Sequence, residues 1–418
     1  MEKELFRTII AESQEYIGRI HLVQRPLYLE EYGNYVFVGV RQAGKSYLLY
    51  QRIQQLLTNG VDIEDIVYVN FDDERLQGMS VADFDFILQA YHSMYESQPI
   101  FFFDEIQNVE GWANFARRLA NQKYRVYITG SNAKMLSRDI ETVLGGRYLD
   151  ISVFPYSFSE YLKAVGVLVT KNWQYGRKAN ELQRHFRTYF DWGGFPELVH
   201  FQEKRVWLNS LYNRIFFNDL VVRHRVKNED ALRLCVRRLA ESVKQPCSLN
   251  RLSNLIKATG TPCSPSTVME YVRYLQESCL LISIDNYASK FVEKETIKKH
   301  YFVDNGLLHL FINNPNTSLL ENLCAITLYK KYAKGLYYYN KNIEVDFYVP
   351  DEGLAVQASY QMSDGETIER EVKALVALHG LHPLKRAMII TYEDEGEIVR
   401  DGLRIEIKPA WKWVLEGL

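Results

Sequence analysis

One short stretch near the N-terminus limits what this chain can fold into. Residues 39–46 read GVRQAGKS, which is the G-x-x-x-x-G-K-[ST] pattern of a phosphate-binding loop, the Walker A motif. Residues 35–38 are apolar, β-branched and aromatic, which predicts a buried strand before the loop. Apolar residues recur at helical spacing after Lys45, which predicts a helix after it. A strand, a loop and a helix N-terminus in this order direct backbone N–H groups and the positive end of the helix dipole at a phosphate.

The loop predicts a nucleotide site in which individual residues have defined roles. Lys45 is expected to reach the β- and γ-phosphates, and the Ser46 hydroxyl is expected to bind Mg²⁺. Glycine at positions 39 and 44 permits backbone angles and a close approach that a Cβ would block. A chance match in a glycine-containing turn is the alternative, and the flanking strand and helix argue against it. The residues expected to surround the nucleotide are Gly39, Arg41, Gln42, Ala43, Gly44, Lys45, Ser46 and Tyr47.

A second motif carries two adjacent carboxylates. Residues 99–105 read PIFFFDE, an apolar run that ends in Asp104 and Glu105, as a Walker B strand does. Asp104 is expected to hold the Mg²⁺ shell, and Glu105 is expected to polarise the attacking water or relay its proton. An acidic turn after a buried strand is the alternative, and the position of the motif downstream of the loop disfavours it.

Three further polar residues are candidates for the same site. Residues 125–132 read RVYITGSN and predict another strand that ends in polar residues. Ser131 and Asn132 are candidates for positioning the lytic water, or alternatively for capping a following helix. Arg147 follows two glycines and is a candidate for reaching a γ-phosphate, most plausibly that of a neighbouring subunit. A solvated surface arginine is the alternative.

Strands and helices alternate between residues 34 and 153, which predicts an α/β fold. A parallel sheet with helices on both faces is expected, with the ligand beyond the carboxyl ends of the strands. Residues 1–32 have helical spacing and are expected to lead into this core as a helix. The expected domains are the P-loop ATPase domain at 1–155, a helical lid or linker at 156–230, a winged-helix-like module at 231–288 and a small α/β domain at 289–418.

Composition excludes several classes of protein. The chain has 418 residues, and two to four domains are expected. No stretch of 18 apolar residues occurs, so no membrane span is expected. The charged N-terminus lacks the apolar core of a signal peptide. The five cysteines form no C-x-x-C pair, which suits reduced thiols and a cytoplasmic location.

Seven stretches together resemble a family of prokaryotic AAA+-type ATPases with a C-terminal domain of unknown function. The stretches are GVRQAGKS, VNFDDERL, IFFFDEIQ, YITGSN, LGGRY, FPYSFSEYL and YFDWGGFPELV. The first, third and fourth are general to P-loop ATPases, and those at 153–162 and 189–199 are more specific to the family. The resemblance covers nearly the whole chain. It implies ATP and Mg²⁺ as ligands, and it does not indicate a physiological role.

The module at 231–288 raises the question of nucleic acid. Three helices and a strand hairpin at this spacing resemble a winged helix. Residues 204–257 contain twelve Lys or Arg and four Asp or Glu, a balance of +8, which is typical of an electrostatic footprint for nucleic acid. Alternatively, the helices pack on protein and their basic face is solvated, since the third helix carries Arg273 as its one basic residue.

The last domain resembles the PD-(D/E)XK nuclease fold, with Glu321 on a helix and Asp346 on a strand. Where the next strand should read E-x-K, it reads Gln357, Ala358 and Ser359. Glutamine is a poorer Mg²⁺ ligand than a carboxylate, and serine supplies no ammonium. We therefore expect a nuclease fold that does not catalyse the nuclease reaction. Glu369 and Glu371 are the nearby acids that offer a replacement carboxylate.

The leading hypothesis is an ATP-hydrolysing, Mg²⁺-dependent protein whose cycle moves its C-terminal part, as a switch or remodeller. DNA, bound through the basic module, and further copies of the chain are its candidate partners, and no membrane is expected. A nucleotide-binding interaction module with negligible turnover is the first alternative. An ATP-dependent DNA nuclease is the second.

Overall fold

A computed structural model describes residues 1–133, 142–362 and 365–417. The chain forms two compact units. The first comprises Met1–Phe154 with Glu277–Cys279, and the second comprises Pro155–Gln276 with Leu280–Leu418. The further boundaries expected inside the second unit, at residues 230 and 288, stay predictions.

Five parallel strands form the sheet of the first unit. They are β1 (Asn34–Gly39), β2 (Ile66–Asn70), β3 (Ile100–Asp104), β4 (Arg125–Gly130) and β5 (Tyr148–Val153). Their order is β2-β3-β4-β1-β5, and each neighbouring pair is parallel. Strands β1, β3 and β4 are buried at nearly every position, so both faces of the sheet are covered. The predicted parallel α/β sheet is confirmed.

The helices of the first unit include the one predicted after the loop. They are α1 (Lys3–Ile17), α2 (Lys45–Thr58), α3 (Asp85–His92) and α4 (Trp112–Asn121). Helix α1 buries Phe6, Ile9 and Ile10 against β2 and α3. The helix predicted over residues 1–32 is too long, because α1 ends at Ile17 and residues 20–30 are irregular.

The second unit contains a mixed sheet of nine strands. They are β6 (Cys247–Ser248), β7 (Leu281–Asn286), β8 (Ile297–Phe302), β9 (Tyr337–Asn340), β10 (Glu344–Val349), β11 (Leu354–Ala358), β12 (Arg386–Thr391), β13 (Gly396–Arg400) and β14 (Leu403–Pro409). Their order is β13-β14-β12-β11-β10-β9-β7-β8-β6. Because β7 pairs with β9, the β7–β8 hairpin and the C-terminal strands form one continuous sheet.

Helices surround this sheet. They are α5 (Phe158–Ala164), α6 (Gly176–Trp192), α7 (Lys204–Arg214), α8 (Glu229–Glu241), α9 (Leu249–Lys257), α10 (Pro265–Glu277), α11 (Phe291–Thr296), α12 (Asn305–His309), α13 (Asn316–Tyr332), α14 (Gly365–Leu381) and α15 (Ala410–Glu416). A π-helical segment, Ile215–Val222, continues α7. Among the described residues, no helix is both long enough and apolar enough to cross a bilayer.

The turn after α6 is fixed within the second unit by a buried aspartate. The Gly194 N–H donates to Asp304 Oδ2 over 2.8 Å, and the Gly194 carbonyl oxygen accepts from the Tyr156 N–H over 2.7 Å. A Cβ on Gly193, whose φ is +78°, would lie 1.9 Å from Asp304 Oδ1. The paired glycines therefore allow this turn to pack on Asp304. The lid role expected of the segment stays a prediction.

Candidate nucleotide site

The phosphate-binding loop connects β1 to α2, as its sequence predicts. Its two glycines are needed for different reasons. Gly44 has a φ of 94°, a left-handed conformation that favours glycine. At Gly39 a Cβ would lie 2.0 Å from the carbonyl oxygen of Val153 on β5. Glycine at position 39 therefore permits the close approach of two strands.

Lys45 is directed back into the loop. Its side chain is almost fully buried, and its Nζ donates to the carbonyl oxygens of Gly39 (3.2 Å) and Val40 (3.3 Å). The same Nζ lies 3.3 Å from Glu105 Oε1. The predicted phosphate-binding cation and the predicted catalytic acid are thus in direct contact.

Asp104 lies buried at the end of β3 and is held by three hydroxyl groups. Its Oδ2 accepts from the Tyr68 hydroxyl over 2.7 Å, its Oδ1 accepts from Thr129 Oγ1, and Ser46 is a further hydrogen-bond partner. Burial raises the pKa of Asp104, as does the neighbouring Glu105 carboxylate, while these hydrogen bonds oppose the rise. A serine hydroxyl in contact with a carboxylate is a pair of oxygen ligands that suits Mg²⁺. Ser46 and Asp104 therefore fit the metal role expected of them.

Glu105 is held in a strained backbone conformation with a φ of 52°, which is uncommon outside glycine and is often functional. Its N–H donates to Thr129 Oγ1 over 2.9 Å. Burial by itself would raise the pKa of Glu105, but the Lys45 ammonium, the Gln107 amide and the Arg41 guanidinium lower it overall. The carboxylate is consequently ionised at neutral pH.

Gln107 connects Glu105 to Ser131. Its Nε2 donates to Glu105 Oε2 and, over 3.4 Å, to Ser131 Oγ. Its Oε1 is a buried acceptor without a hydrogen-bond partner among the described residues. The structure therefore connects Ser131 to the Glu105 carboxylate through a residue that sequence reasoning missed. Its position two residues after Glu105 was the available signal.

The other predicted residues Asn132, Tyr47 and Arg147 differ in exposure and in the contacts that they make. Asn132 is half-buried next to Ser131, and the helix expected after it falls partly on residues 134–141, which lie outside the described residues. Tyr47 is about half exposed and packs edge-on against Tyr50. Arg147 is exposed, and its guanidinium donates to the Gly145 carbonyl oxygen over 3.1 Å. Its predicted role toward a neighbouring copy stays a prediction.

Sequence reasoning also missed Arg25, which lies in the irregular segment after α1. Its Nη1 donates to the carbonyl oxygen of Ala43 in the loop (3.1 Å), and its Nη2 donates to that of Phe154 after β5 (2.9 Å). Its backbone exchanges two hydrogen bonds with the Gln51 amide on α2. One guanidinium therefore fixes the loop to the end of the edge strand.

The comparisons with known proteins agree with this geometry. An uncharacterized protein of Methanocaldococcus jannaschii is 31% identical over 99% of this chain and 96% of its own length. The chain belongs to the family of this archaeal protein. An uncharacterized protein of Haemophilus influenzae is 30% identical over 91% of the chain and 94% of its own length.

The N-terminal part of this chain matches an AAA domain. The family model described as an AAA domain matches residues 32–162, and that of a domain of unknown function (DUF8612) matches residues 183–318. Among solved structures, the Walker-type ATPase of Pyrococcus abyssi covers 74% of this chain and 95% of its own, with 12% identity and a TM-score of 0.43. The AAA-domain match over residues 32–162 by itself supports the predicted P-loop AAA+ character of this part of the chain. The nuclease-like character of the C-terminal domain stays a prediction.

The second unit brings the predicted nuclease-like residues together around an unpredicted lysine. Lys299 on β8 is fully buried, and its Nζ lies 3.1 Å from Glu321 Oε1, 2.9 Å from Asp346 Oδ1 and 3.4 Å from Glu344 Oε1. The Tyr301 hydroxyl also donates to Glu321, over 2.9 Å. An ammonium thus occupies the position between the carboxylates where a metal cation would be expected. No three His, Cys, Asp or Glu side chains in the described ranges are arranged to bind a metal.

The two residues that replace the expected acid and lysine are engaged elsewhere. Gln357 accepts from the Asp346 N–H (2.8 Å) and donates to the Glu344 carbonyl oxygen (3.1 Å), so its amide is engaged with the backbone of β10. Ser359 Oγ donates to the Gln361 carbonyl oxygen over 3.2 Å. Glu371, the candidate replacement carboxylate, lines the same cavity as Asp346 and accepts from Arg370. This arrangement fits the expected absence of a nuclease reaction, which stays a prediction.

Proposed function

We propose that this protein binds ATP with Mg²⁺ and hydrolyses it, and that the cycle drives a switch or remodelling activity of the C-terminal part. One observation carries the proposal. Lys45, Ser46, Asp104 and Glu105 meet where β1 and β3 end, and Thr129 on the intervening β4 donates to one carboxylate and accepts from the backbone of the other. This arrangement combines a phosphate cation, oxygen ligands for a metal and a general base in one place.

The residues would act in a definite order. Lys45 exchanges Glu105 and two carbonyl oxygens for the β- and γ-phosphates, which are stronger partners for an ammonium. Glu105 is then free to accept a hydrogen bond from the attacking water, while Gln107 holds its other oxygen. Ser46 and Asp104 would hold Mg²⁺, which neutralises charge on the phosphates.

Ser131 and Arg147 have supporting roles in this proposal. Ser131 is buried beside Gln107 and would hold the water in line with the γ-phosphate, together with Asn132. Arg147 is exposed on the first unit and would reach the γ-phosphate of a neighbouring copy, which requires a homo-oligomer.

We also propose that the basic stretch at residues 204–257 binds DNA. Several of its charges are neutralised locally, since Arg223 pairs with Asp219 (3.0 Å) and Arg237 and Arg238 both pair with Glu241. Lys227, Arg251 and Lys257 are examples of basic side chains left for phosphate contacts. Their number favours weak, salt-sensitive binding.

Steady-state phosphate release tests this function. Wild-type protein is assayed with and without duplex DNA, and its mass in solution is recorded in the same buffers. Lys45→Ala identifies contaminating ATPases, because it should remove turnover that belongs to this chain. Mg²⁺-dependent turnover that disappears in this variant supports the proposal. Equal turnover in both proteins contradicts it.

A further inference from the structure

A polar cavity of about 640 Å³ in the second unit has no role in the proposed ATP reaction. One of its walls is a single face of α6. The residues on this face recur at helical spacing and are Asn180, Gln183, Arg184, Arg187 and Asp191. The opposite wall contains Tyr360, which follows β11, and Tyr392, which follows β12.

The two arginines on this face carry charge without a fixed partner. Within the described ranges, neither Arg184 nor Arg187 has a carboxylate within 4 Å, although the charge of Arg187 lowers the pKa of Asp191, four residues later, against the larger rise from burial. Lys178, nearly two turns before Arg184 on α6, pairs with Glu181 at 2.9 Å. Arg187 lines the same cavity as Tyr360 and Tyr392. A guanidinium without a partner at the edge of a cavity is suited to bind an anion, above all a phosphate.

The aromatic wall is a stack with an open side. The rings of Tyr360 and Tyr392 lie 4.9 Å apart at an angle of 20°, and both side chains are half-buried. Tyr360 also lines a second cavity, of about 730 Å³. Tyr392 covers one face of the Tyr360 ring, and the Phe190 ring lies 6.4 Å from it at 47°. The part of the Tyr360 side chain that stays exposed borders both cavities. Stacked aromatic side chains beside cationic groups are a platform for nucleobases.

The second cavity carries charges of both signs. Its cations are Lys244, Arg370 and Lys373, of which Lys373 pairs with Glu369 at 3.4 Å. Its acids are Glu321, Glu344, Asp346 and Glu371. The first three contact the Lys299 ammonium, and Glu371 accepts from Arg370. The mixed charge predicts weak binding at physiological salt and tighter binding at low salt.

We propose that these two adjoining cavities bind a single strand of nucleic acid, with a phosphate on Arg184 and Arg187 and a base against Tyr360. A single strand fits better than a duplex, because paired and stacked bases present no free face to a tyrosine. Lys244 is the one residue named for this site that also belongs to the basic stretch at 204–257. The site does not depend on ATP hydrolysis.

Fluorescence anisotropy of a labelled oligothymidylate with the full-length protein at low salt tests this site. Arg184→Gln and Arg187→Gln should each weaken binding several-fold and reduce the slope of log Kd against log salt by about 0.7. Tyr360→Leu should weaken binding about tenfold or more without changing the slope, and Tyr360→Phe should bind as the wild type does. Arg177→Gln, an exposed arginine on the same helix outside the cavity, is the matched control and should have no effect.

Each result of these binding measurements either supports or overturns the proposed single-strand site. Unchanged binding in the Arg184, Arg187 and Tyr360→Leu variants overturns the proposal, as does an equal loss in the Arg177 control. Competition by duplex DNA that equals competition by single strands also overturns it. Adenosine monophosphate should compete far more weakly than an oligomer, and equal competition would mean a mononucleotide pocket instead. Competition by oligothymidylate or oligouridylate supports the proposal and identifies DNA or RNA as the preferred strand.

Discussion

The Nζ atom of Lys45 lies 3.3 Å from Oε1 of Glu105. The two residues therefore neutralise one another in this structure, and the lysine lowers the pKa of the acid. In the proposed reaction, an arriving γ-phosphate breaks this pair before either residue acts. Nucleotide binding would then be the step that frees the Glu105 carboxylate to act as a base.

Thr129 connects the two carboxylates of the site. Its hydroxyl donates to Asp104 and accepts from the Glu105 N–H. Thr129→Val keeps the shape of the side chain but removes its hydrogen bonds to the Glu105 N–H and to Asp104 Oδ1. Each lost bond of a buried group should cost about 1–3 kcal/mol. We expect the Mg²⁺ concentration for half-maximal turnover to rise several-fold, measured by titrating Mg²⁺ at fixed ATP. Thr129→Ser keeps the hydroxyl and should restore the wild-type value, and failure of that rescue would argue against the hydrogen bonds as the cause.

Arg25 should act on substrate binding more than on chemistry. It donates to the Ala43 carbonyl oxygen and so fixes the loop whose N–H groups are expected to bind the phosphates. Arg25→Gln is therefore expected to raise KM for ATP about tenfold with a smaller change in kcat. Arg19→Gln removes an exposed arginine from the neighbouring part of the chain and should leave both constants unchanged. A fall in kcat alone would show that Arg25 does not position the loop.

Lys299 should be essential for the stability of the second unit. Lys299→Met leaves Glu321 and Asp346 with an uncompensated buried charge, which costs about 3–5 kcal/mol. Lys298→Met, one residue earlier on β8, removes a partly exposed pair with Asp285 and should cost about 1 kcal/mol or less. Urea unfolding followed by circular dichroism compares the two. Equal losses would mean that the buried cluster contributes no more than a surface pair.

The stability cost of Lys299→Met should depend on pH. Burial and the Asp346 carboxylate raise the pKa of Glu321, and removal of the lysine should raise it further. Protonated Glu321 carries no charge, so the variant should lose less stability at pH 5.5 than at pH 8. A loss that is the same at both pH values would contradict the charge-based explanation.

Because His300 is buried, we expect the protein to lose stability in acid. Burial, with a contribution from Lys298, lowers the pKa of His300 to about 4 from an ordinary value of 6.5. The unfolded chain therefore binds a proton between these two values while the folded chain does not, and stability falls by about 1.4 kcal/mol per pH unit as the pH drops from about 6.5 to 4. His300→Gln can still hydrogen-bond Ser283 but does not titrate. Its unfolding free energy should change less between pH 7 and pH 5 than that of the wild type, and equal slopes would contradict the prediction.

The predictable part of the site is the part that rests on local sequence. The loop, the strand before it and the acids at 104 and 105 each follow from a few consecutive residues, and the parallel sheet brings them together because strand ends meet at one edge. Thr129, Tyr68 and Arg25 could not be assigned, because each reaches the site from a distant part of the chain. Helix α1 shows that the end of a helix is harder to predict, since the helix predicted over residues 1–32 stops at Ile17.

In the C-terminal domain, too, contacts between distant parts of the chain could not be predicted from local sequence. The strand pattern of this domain indicated where the acid and lysine of a nuclease should stand, and Gln357 and Ser359 showed that both were missing. The pattern could not indicate that Lys299, on a strand of the preceding hairpin, places an ammonium between Glu321 and Asp346. That contact depends on β7 pairing with β9, a long-range pairing that no local pattern encodes.

The most direct test of the central claim is a single-turnover measurement of ATP cleavage by Glu105→Gln, with nucleotide affinity measured on the same protein. The neutral amide cannot act as a base, so cleavage should fall by two to four orders of magnitude, about the usual contribution of a general base, while ATP binds as tightly as before or more tightly. Glu110→Gln, an exposed acid outside the site, should behave as the wild type does. Cleavage by Glu105→Gln at the wild-type rate would contradict the account.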